Sequence, residues 1–133
     1  MVLVDTSILI GYLKGEDRPP FNELDRIIEN RIPFGINSLI YQEVLQGCRS
    51  ERESDEVKEY LGSLRFYELR NGKESYERAA HLYNRCRKAG VDVRSTVDLL
   101  IAQTAIENDL YILENDKDYR AIAQVSRKLK IYK

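Results

Sequence analysis

Short, mainly apolar runs alternate with longer helical patterns along the whole chain. Each run is three or four residues long, and the runs occupy residues 2–4, 34–36, 64–67, 110–113 and 129–132. Runs this short, without regular polar alternation, are typical of strands that helices cover on both faces. Asn37 precedes one helical pattern as an N-terminal cap, and Gly90 follows another as a C-terminal glycine. The sequence therefore predicts a three-layer α/β/α fold around a central parallel sheet of about five short strands.

The bulk composition indicates a globular chain, and we expect residues 1–133 to form a single domain. A chain of 133 residues can bury a core without disulfide or metal staples. Hydrophobic residues make up 43% and charged residues 32%, which argues against disorder. The formal net charge of −1 excludes a protein that holds nucleic acid by bulk positive charge. Contact with nucleic acid would need a local basic patch.

Cellular location is indicated by three absences in the sequence. No apolar run approaches the ~20 residues of a membrane span, and the first residues lack the charged and apolar regions of a secretory signal. Cys48 and Cys86 have no CxxC partner, which is typical of buried thiols in a reducing compartment. We expect a cytoplasmic protein without a disulfide.

Two acidic residues follow predicted strands directly or within a short turn. Asp5 comes straight after the run at 2–4, and Asp116 lies just past the run at 110–113. Functional sites of parallel α/β sheets form beyond the carboxyl ends of the strands. The two carboxylates are therefore expected at the functional edge of the sheet.

Two further acids lie in the apolar stripes of predicted helices. Glu43 shares a helix face with Leu39 and Ile40, and Asp98 shares one with Ile101. A buried carboxylate must be neutralised, hydrogen-bonded or bound to a cation. If Asp5, Glu43, Asp98 and Asp116 converge, they form a pocket suited to Mg²⁺, with Mn²⁺ as an alternative.

Each acid also has an ordinary structural explanation. Asp5 suits a helix N-cap, Asp98 could close a capping box with Ser95, and Asp116 lies in a polar turn. Glu43 has the weakest such explanation, that of a solvated residue at the edge of its helix face. Asp118 repeats the pattern of Asp116 with less reason to point inward.

No other catalytic group stands out in the sequence. His81 is the only histidine, and it lies in a mid-chain helical pattern that suggests a structural position. No glycine-rich phosphate loop, zinc-ligand spacing or Ser–His–Asp set is present. The four acids are the candidate catalytic and metal-ligating residues, since paired divalent cations promote phosphodiester cleavage.

Four blocks containing these acids, in this order along the chain, resemble the motifs of PIN-domain nucleases. The blocks are VDTSILI at 4–10, SLIYQEV at 38–44, DLLIAQTA at 98–105 and LENDKDY at 113–119. The short chain is most similar to VapC-type toxins of toxin–antitoxin pairs. The resemblance implies a Mg²⁺-dependent endoribonuclease, usually a homodimer, that a cognate antitoxin protein inhibits by occupying the acidic pocket.

One position departs from that family pattern. Glu114 stands two residues before Asp116, where members of the family commonly carry Thr or Ser. A further carboxylate replaces a hydroxyl there, which puts the role of Asp116 and the number of bound metals in doubt. RNA would also need positive charge near the pocket, and the candidates are Arg85, Arg87, Lys88, Arg94, Lys117 and Arg120.

Two rival functions differ from nuclease activity. A phosphoryl-accepting receiver domain requires an Asp at the end of its third strand, but the third run continues Phe66-Tyr67-Glu68. A catalytically silent PIN scaffold that binds RNA or a protein partner should have lost one or more acids. All four are present, which favours catalysis.

Overall fold

Five parallel strands form the central sheet. A computed structural model describes residues 1–133 and gives the strand order β3-β2-β1-β4-β5. All four neighbouring pairs are parallel. The strands are β1 (Val2–Val4), β2 (Phe34–Ile36), β3 (Arg65–Phe66), β4 (Tyr111–Leu113) and β5 (Lys130–Ile131). Each strand lies within a run predicted from the sequence, so the parallel five-stranded sheet is confirmed.

Seven helices cover the sheet and complete the three predicted layers. They are α1 (Thr6–Leu13), α2 (Glu23–Glu29), α3 (Ser38–Gln46), α4 (Glu51–Gly62), α5 (Lys73–Lys88), α6 (Thr96–Glu107) and α7 (Lys117–Val125). Helix α3 packs against α1 and α4, while α5, α6 and α7 pack against one another. This grouping is expected when right-handed crossovers leave a central strand in both directions. None of the helices has the length and apolar content of a membrane span.

The core explains why the strand at the centre of the sheet is apolar. Strand β1 is central, and Val2, Leu3 and Val4 are all buried. Twenty-five buried residues from both helical layers and the sheet form one hydrophobic cluster. Cys86 belongs to that cluster, whereas Cys48 is only half-buried rather than buried as expected, and both thiols are free. The prediction of one domain over residues 1–133 agrees with this single cluster and stays a prediction.

The order of the strands in the sheet changes direction at the boundary between the neighbouring strands β1 and β4. From β1 it proceeds outward to β2 and β3, then returns through α5 and α6 to β4 on the other side of β1. Such a switch point leaves a crevice at the carboxyl ends of the two adjacent strands. Helix α6 leads into the amino end of β4, so its own first turn lies at the carboxyl edge of the sheet. Three chain segments therefore meet at one crevice: the end of β1, the start of α6 and the turn after β4.

Candidate metal centre

Asp5 is held at the end of β1 by hydrogen bonds to both carboxylate oxygens. Its side chain is 5% exposed. Oδ2 accepts from the Ser7 hydroxyl at 2.9 Å and from the Ser7 amide at 3.4 Å, so the expected N-cap of α1 does form. Oδ1 accepts from the Tyr119 hydroxyl at 2.9 Å. Burial raises the pKa of Asp5 in spite of these donors. The cap and a role in a site are therefore compatible.

Asp98 lies in the first turn of α6 and is half-buried. Ser95 is the N-cap of this helix but makes no side-chain capping bond, so the expected capping box is incomplete. The Asp98 carboxylate instead accepts from the Tyr119 hydroxyl at 3.2 Å. Burial, followed by repulsion from Asp5 and Asp116, raises the pKa of Asp98 to about 6. No Lys or Arg side chain forms an ion pair with this carboxylate.

Three carboxylates form what we call the acidic cluster: Asp98, Asp116 and Asp118. One oxygen from each lies within 4.8 Å of the others. Asp116 is the N-cap of α7, as its turn position suggested, and its Oδ1 accepts from the Asp118 amide at 2.9 Å. Asp118 is only 6% exposed, contrary to the expectation that it would have less reason to point inward. Because α7 begins at Lys117, its first turn directs Asp118 inward while Lys117 faces solvent.

Glu43 lies outside the acidic cluster but contacts Thr6, the residue next to Asp5. It is half-buried on α3, and its Oε1 accepts from the hydroxyl of Thr6 at 2.6 Å. Thr6 follows Asp5 directly. No other side chain hydrogen-bonds Glu43, which leaves its second oxygen without a protein partner. Membership of Glu43 in a metal site stays a prediction.

Glu114 fixes the turn that carries Asp116. Its side chain is 7% exposed, and its Oε2 accepts from the Asp116 amide at 2.7 Å. The other oxygen lies 3.6 Å from Nε of Arg120. Burial is the largest cause of its raised pKa, and Asp5 and Asp116 add to the effect. The residue that departs from the family pattern thus supports the turn through the backbone and adds negative charge.

Two of the six basic candidates contact acidic side chains at this edge. Nε of Arg94 lies 3.8 Å from Asp118, and Arg120 pairs with Glu114. Arg94 is 68% exposed, so it can reach a ligand at the mouth of the crevice. Arg85 contacts a different part of the chain, since it donates to the Val125 carbonyl oxygen at 2.8 Å.

The donor set fits a hard divalent cation. No Lys or Arg forms an ion pair with Asp5, Asp98 or Asp116. Every side chain of the acidic cluster offers a carboxylate oxygen, the ligand type that Mg²⁺ and Mn²⁺ accept. Burial, followed by repulsion from the nearby carboxylates of Asp5 and Asp116, raises the pKa of Asp98. A divalent cation bound here would supply positive charge to these carboxylates.

A cavity of about 700 Å³ lies elsewhere, between α5, α6 and the end of α7. Its lining includes His81, Arg85 and Glu107 but none of the four predicted acids. Glu107 already accepts from the Arg70 amide, the Ser75 hydroxyl and the Gln103 amide, and its pKa is lowered although burial opposes that shift. This carboxylate is satisfied by hydrogen bonds within the fold.

The raised pKa of Asp98 predicts how the stability of the metal-free protein depends on pH. The folded carboxyl holds its proton up to about pH 6, whereas the ordinary pKa of an aspartate is 3.8. Between pH 3.8 and about pH 6 the folded protein therefore binds a proton that the unfolded chain does not. The stabilisation that this proton gives is complete below pH 3.8 and is lost as the pH rises through about 6. Asp98→Asn removes this dependence. In EDTA the variant should exceed the wild type in free energy of unfolding at pH 8 by about 1 kcal/mol, after allowance for solvent screening.

Urea denaturation at pH 4 and pH 8 measures this difference. At pH 4 most of the Asp98 carboxyl is protonated in the folded wild type, so the advantage of the variant should shrink. If the free energy of unfolding depends on pH in the same way in both proteins, burial and repulsion do not raise the pKa of Asp98.

Comparison with known proteins supports the fold and the order of the motifs. The sequence model of the PIN domain family matches residues 2–125. The chain is similar to a VapC ribonuclease of Mycobacterium bovis and to Ribonuclease VapC11 of Mycobacterium tuberculosis. Each is 27% identical over 127 residues, covering 95% of this chain and 94% of the relative.

Solved structures share the fold at low sequence identity. The VapBC2 structure from Rickettsia felis, bound to a promoter DNA fragment, aligns with a TM-score of 0.76 and 18% identity, covering 99% of this chain and 98% of that one. VapBC-1 from nontypeable Haemophilus influenzae aligns with a TM-score of 0.71 and 19% identity, covering 99% and 97%. With the family match over nearly all of its residues, the chain belongs to the PIN domain family.

Proposed function

We propose that the protein is a divalent-cation-dependent endoribonuclease. The observation that carries the proposal is the convergence of Asp98, Asp116 and Asp118 within 4.8 Å at the switch point of the sheet. The names of the mycobacterial relatives, which call them ribonucleases, support the same activity. Asp98 and Asp116 have no Lys or Arg partner, and such unpaired neighbouring carboxylates are costly to the fold, which favours a site kept for binding a cation.

The acidic residues would share the work of holding Mg²⁺ or Mn²⁺. Asp98, Asp116 and Asp118 are proposed as direct ligands because of their mutual distances. Asp5 completes the site through its contact with Tyr119, and Glu43 borders it beside Thr6. A bound divalent cation supplies Lewis-acid stabilisation of the charge that develops on phosphodiester oxygens.

The remaining residues would place the RNA backbone against that centre. Arg94 and Arg120 are exposed at the acidic edge, and Lys117 lies beside Asp116. Guanidinium and ammonium groups bind phosphate oxygens and fix the register of a nucleic acid without selecting its sequence. We propose that these three side chains position the phosphate of the scissile bond.

We further propose that the enzyme is the cytoplasmic toxin of a toxin–antitoxin pair, a homodimer inhibited by a cognate antitoxin protein. Structural neighbours at 16–19% identity include VapBC structures and FitAcB from Neisseria gonorrhoeae. A toxin–antitoxin complex from Klebsiella pneumoniae also shares the fold, with a TM-score of 0.68. These likenesses support the choice of partner. A silent scaffold that only binds RNA is less favoured because Asp5, Asp98 and Asp116 have no Lys or Arg partner that would explain their retention.

The activity is tested with purified protein and single-stranded RNA in the presence of Mg²⁺. Internal cleavage of RNA is expected, and DNA of the same sequence serves as the matched control. Fragments are resolved by electrophoresis with label at either end, which separates endonucleolytic from exonucleolytic products. Binding of RNA without cleavage, with either Mg²⁺ or Mn²⁺, would contradict the proposal and support the scaffold.

A further inference from the structure

We infer that the Tyr119 hydroxyl is a positioning group that ties Asp5 to Asp98 and thereby sets the geometry of the cation site. The inference rests on the proposed cation-dependent function and assigns a role to a side chain outside the set of acids. Tyr119 itself would not ligate the cation. It acts through the two carboxylates that it contacts.

The contacts of Tyr119 are those of a bridge between separate parts of the chain. Its side chain is 0% exposed and lies in the first turn of α7. Its hydroxyl is 2.9 Å from Oδ1 of Asp5, 114 residues away, and 3.2 Å from Oδ1 of Asp98, 21 residues away. One phenol therefore links the end of β1, the start of α6 and the start of α7.

The phenol is the one donor that the two carboxylates share. It has a single hydrogen, which can point to only one of the two oxygens at a time. The hydroxyl is the donor in both contacts, because both of its partners are carboxylate oxygens. No Lys or Arg pairs with Asp5 or Asp98, and this hydroxyl, which donates to both, offsets part of their mutual repulsion.

The bridge also decides which oxygen of Asp98 is left for a cation. Tyr119 contacts Oδ1, and the second oxygen of Asp98 has no hydrogen bond within the protein. Removing a group that orients a metal-ligating carboxylate lowers the metal affinity about 10–100-fold. Loss of the hydroxyl should therefore weaken cation binding although no ligand atom is lost.

Packing is the alternative role for Tyr119, and Tyr119→Phe separates the two roles. The phenylalanine ring fills the same buried space and removes only the oxygen. A matched control is Tyr41→Phe, since Tyr41 is half-buried, its ring contacts Phe66 edge-on, and it lies on α3 away from the acidic cluster. Both variants lose one hydroxyl and keep one ring.

Binding of Mn²⁺ to metal-free protein is measured by the electron paramagnetic resonance signal of free Mn²⁺, well below the melting temperature of each protein. Tyr119→Phe should raise the dissociation constant about tenfold or more, while Tyr41→Phe should match the wild type. In the RNA cleavage assay, Tyr119→Phe at a fixed, subsaturating Mg²⁺ concentration should lose kcat with little change in KM.

The outcomes distinguish this inference from the proposed function. An unchanged Mn²⁺ dissociation constant in Tyr119→Phe, with only a lower melting temperature, would overturn the positioning role. Failure of the wild type to bind Mn²⁺ would overturn the proposed function and this inference with it. Should Tyr119→Phe not fold, proton NMR of the wild type still decides. A slowly exchanging hydroxyl signal that moves on Mg²⁺ saturation supports the bridge, and a hydroxyl that exchanges freely with water overturns it.

Discussion

Asp98→Asn should abolish RNA cleavage while leaving the fold intact. The substitution keeps the shape of the side chain, and the asparagine oxygen can still accept from Tyr119, 3.2 Å away in the wild type. It removes one negative charge and one strong ligand from the acidic cluster. Stabilisation of developing charge by a metal is worth several kcal/mol, so kcat/KM should fall about 10³-fold or more. Cleavage of end-labelled RNA under single-turnover conditions measures the loss.

An exposed acid provides the control for that result. Asp55 lies on the solvent face of α4, and Asp55→Asn makes the same chemical change far from the crevice. Its activity should stay close to that of the wild type. Circular dichroism of Asp98→Asn should match the wild type as well. Activity of Asp98→Asn within a few-fold of the wild type would remove this residue from the catalytic site.

Removal of divalent cations should abolish cleavage and also lower the melting temperature. Asp98, Asp116 and Asp118 repel one another when no cation is bound, and a ligand that binds only the folded state stabilises it by mass action. At a cation concentration about 100 times the dissociation constant, the stabilisation is about 2.7 kcal/mol, which raises the melting temperature by roughly 5–10 °C. Both activity and melting temperature should recover when Mg²⁺ or Mn²⁺ is added back after EDTA.

The same titration on Asp98→Asn separates specific binding from a general salt effect. The variant should show little stabilisation by Mg²⁺, because the cluster has lost a ligand. Equal stabilisation of both proteins would mean that the cation binds elsewhere. Full cleavage in excess EDTA would contradict a metal-dependent reaction outright.

The sheet could be predicted because its strands carry a strong local signal. Residues such as Leu3 and Ile112 are buried from both sides, so their strands contain almost no polar residue. The positions of Asp5 and Asp116 followed from strand ends, since parallel strands place their carboxyl ends at one edge. These inferences needed only short stretches of sequence and the rule that governs parallel sheets.

The direction of side chains in the turn after β4 could not be predicted in the same way. Asp118 and Glu114 stand in a run of polar residues that has no apolar periodicity of its own, yet both side chains are buried. The inward face of α7 is apparent only once Asp118, Tyr119 and Ile122 are recognised as one buried stripe. Even then, the turn formed by Glu114 and Asp116 depends on a hydrogen bond from the backbone, which the residue types do not specify.

The role of Tyr119 depends on contacts between distant segments. A tyrosine in a first helical turn is equally compatible with packing and with a polar contact. Its two acceptors lie just after β1 and in α6, and no local pattern relates those segments to α7. Glu43 is the opposite case, since its apolar neighbours indicated a partly buried position but not that Thr6 would bind it.

The central claim is that Asp98, Asp116 and Asp118 hold a divalent cation at the carboxyl edge of the sheet. A crystal grown or soaked with Mn²⁺ tests it most directly, because anomalous scattering locates the ion independently of the protein atoms. The account predicts an anomalous peak among these three carboxylates at about 2.2 Å from their oxygens. A saturating soak that leaves this position without a peak, or places the ion away from these side chains, would contradict it.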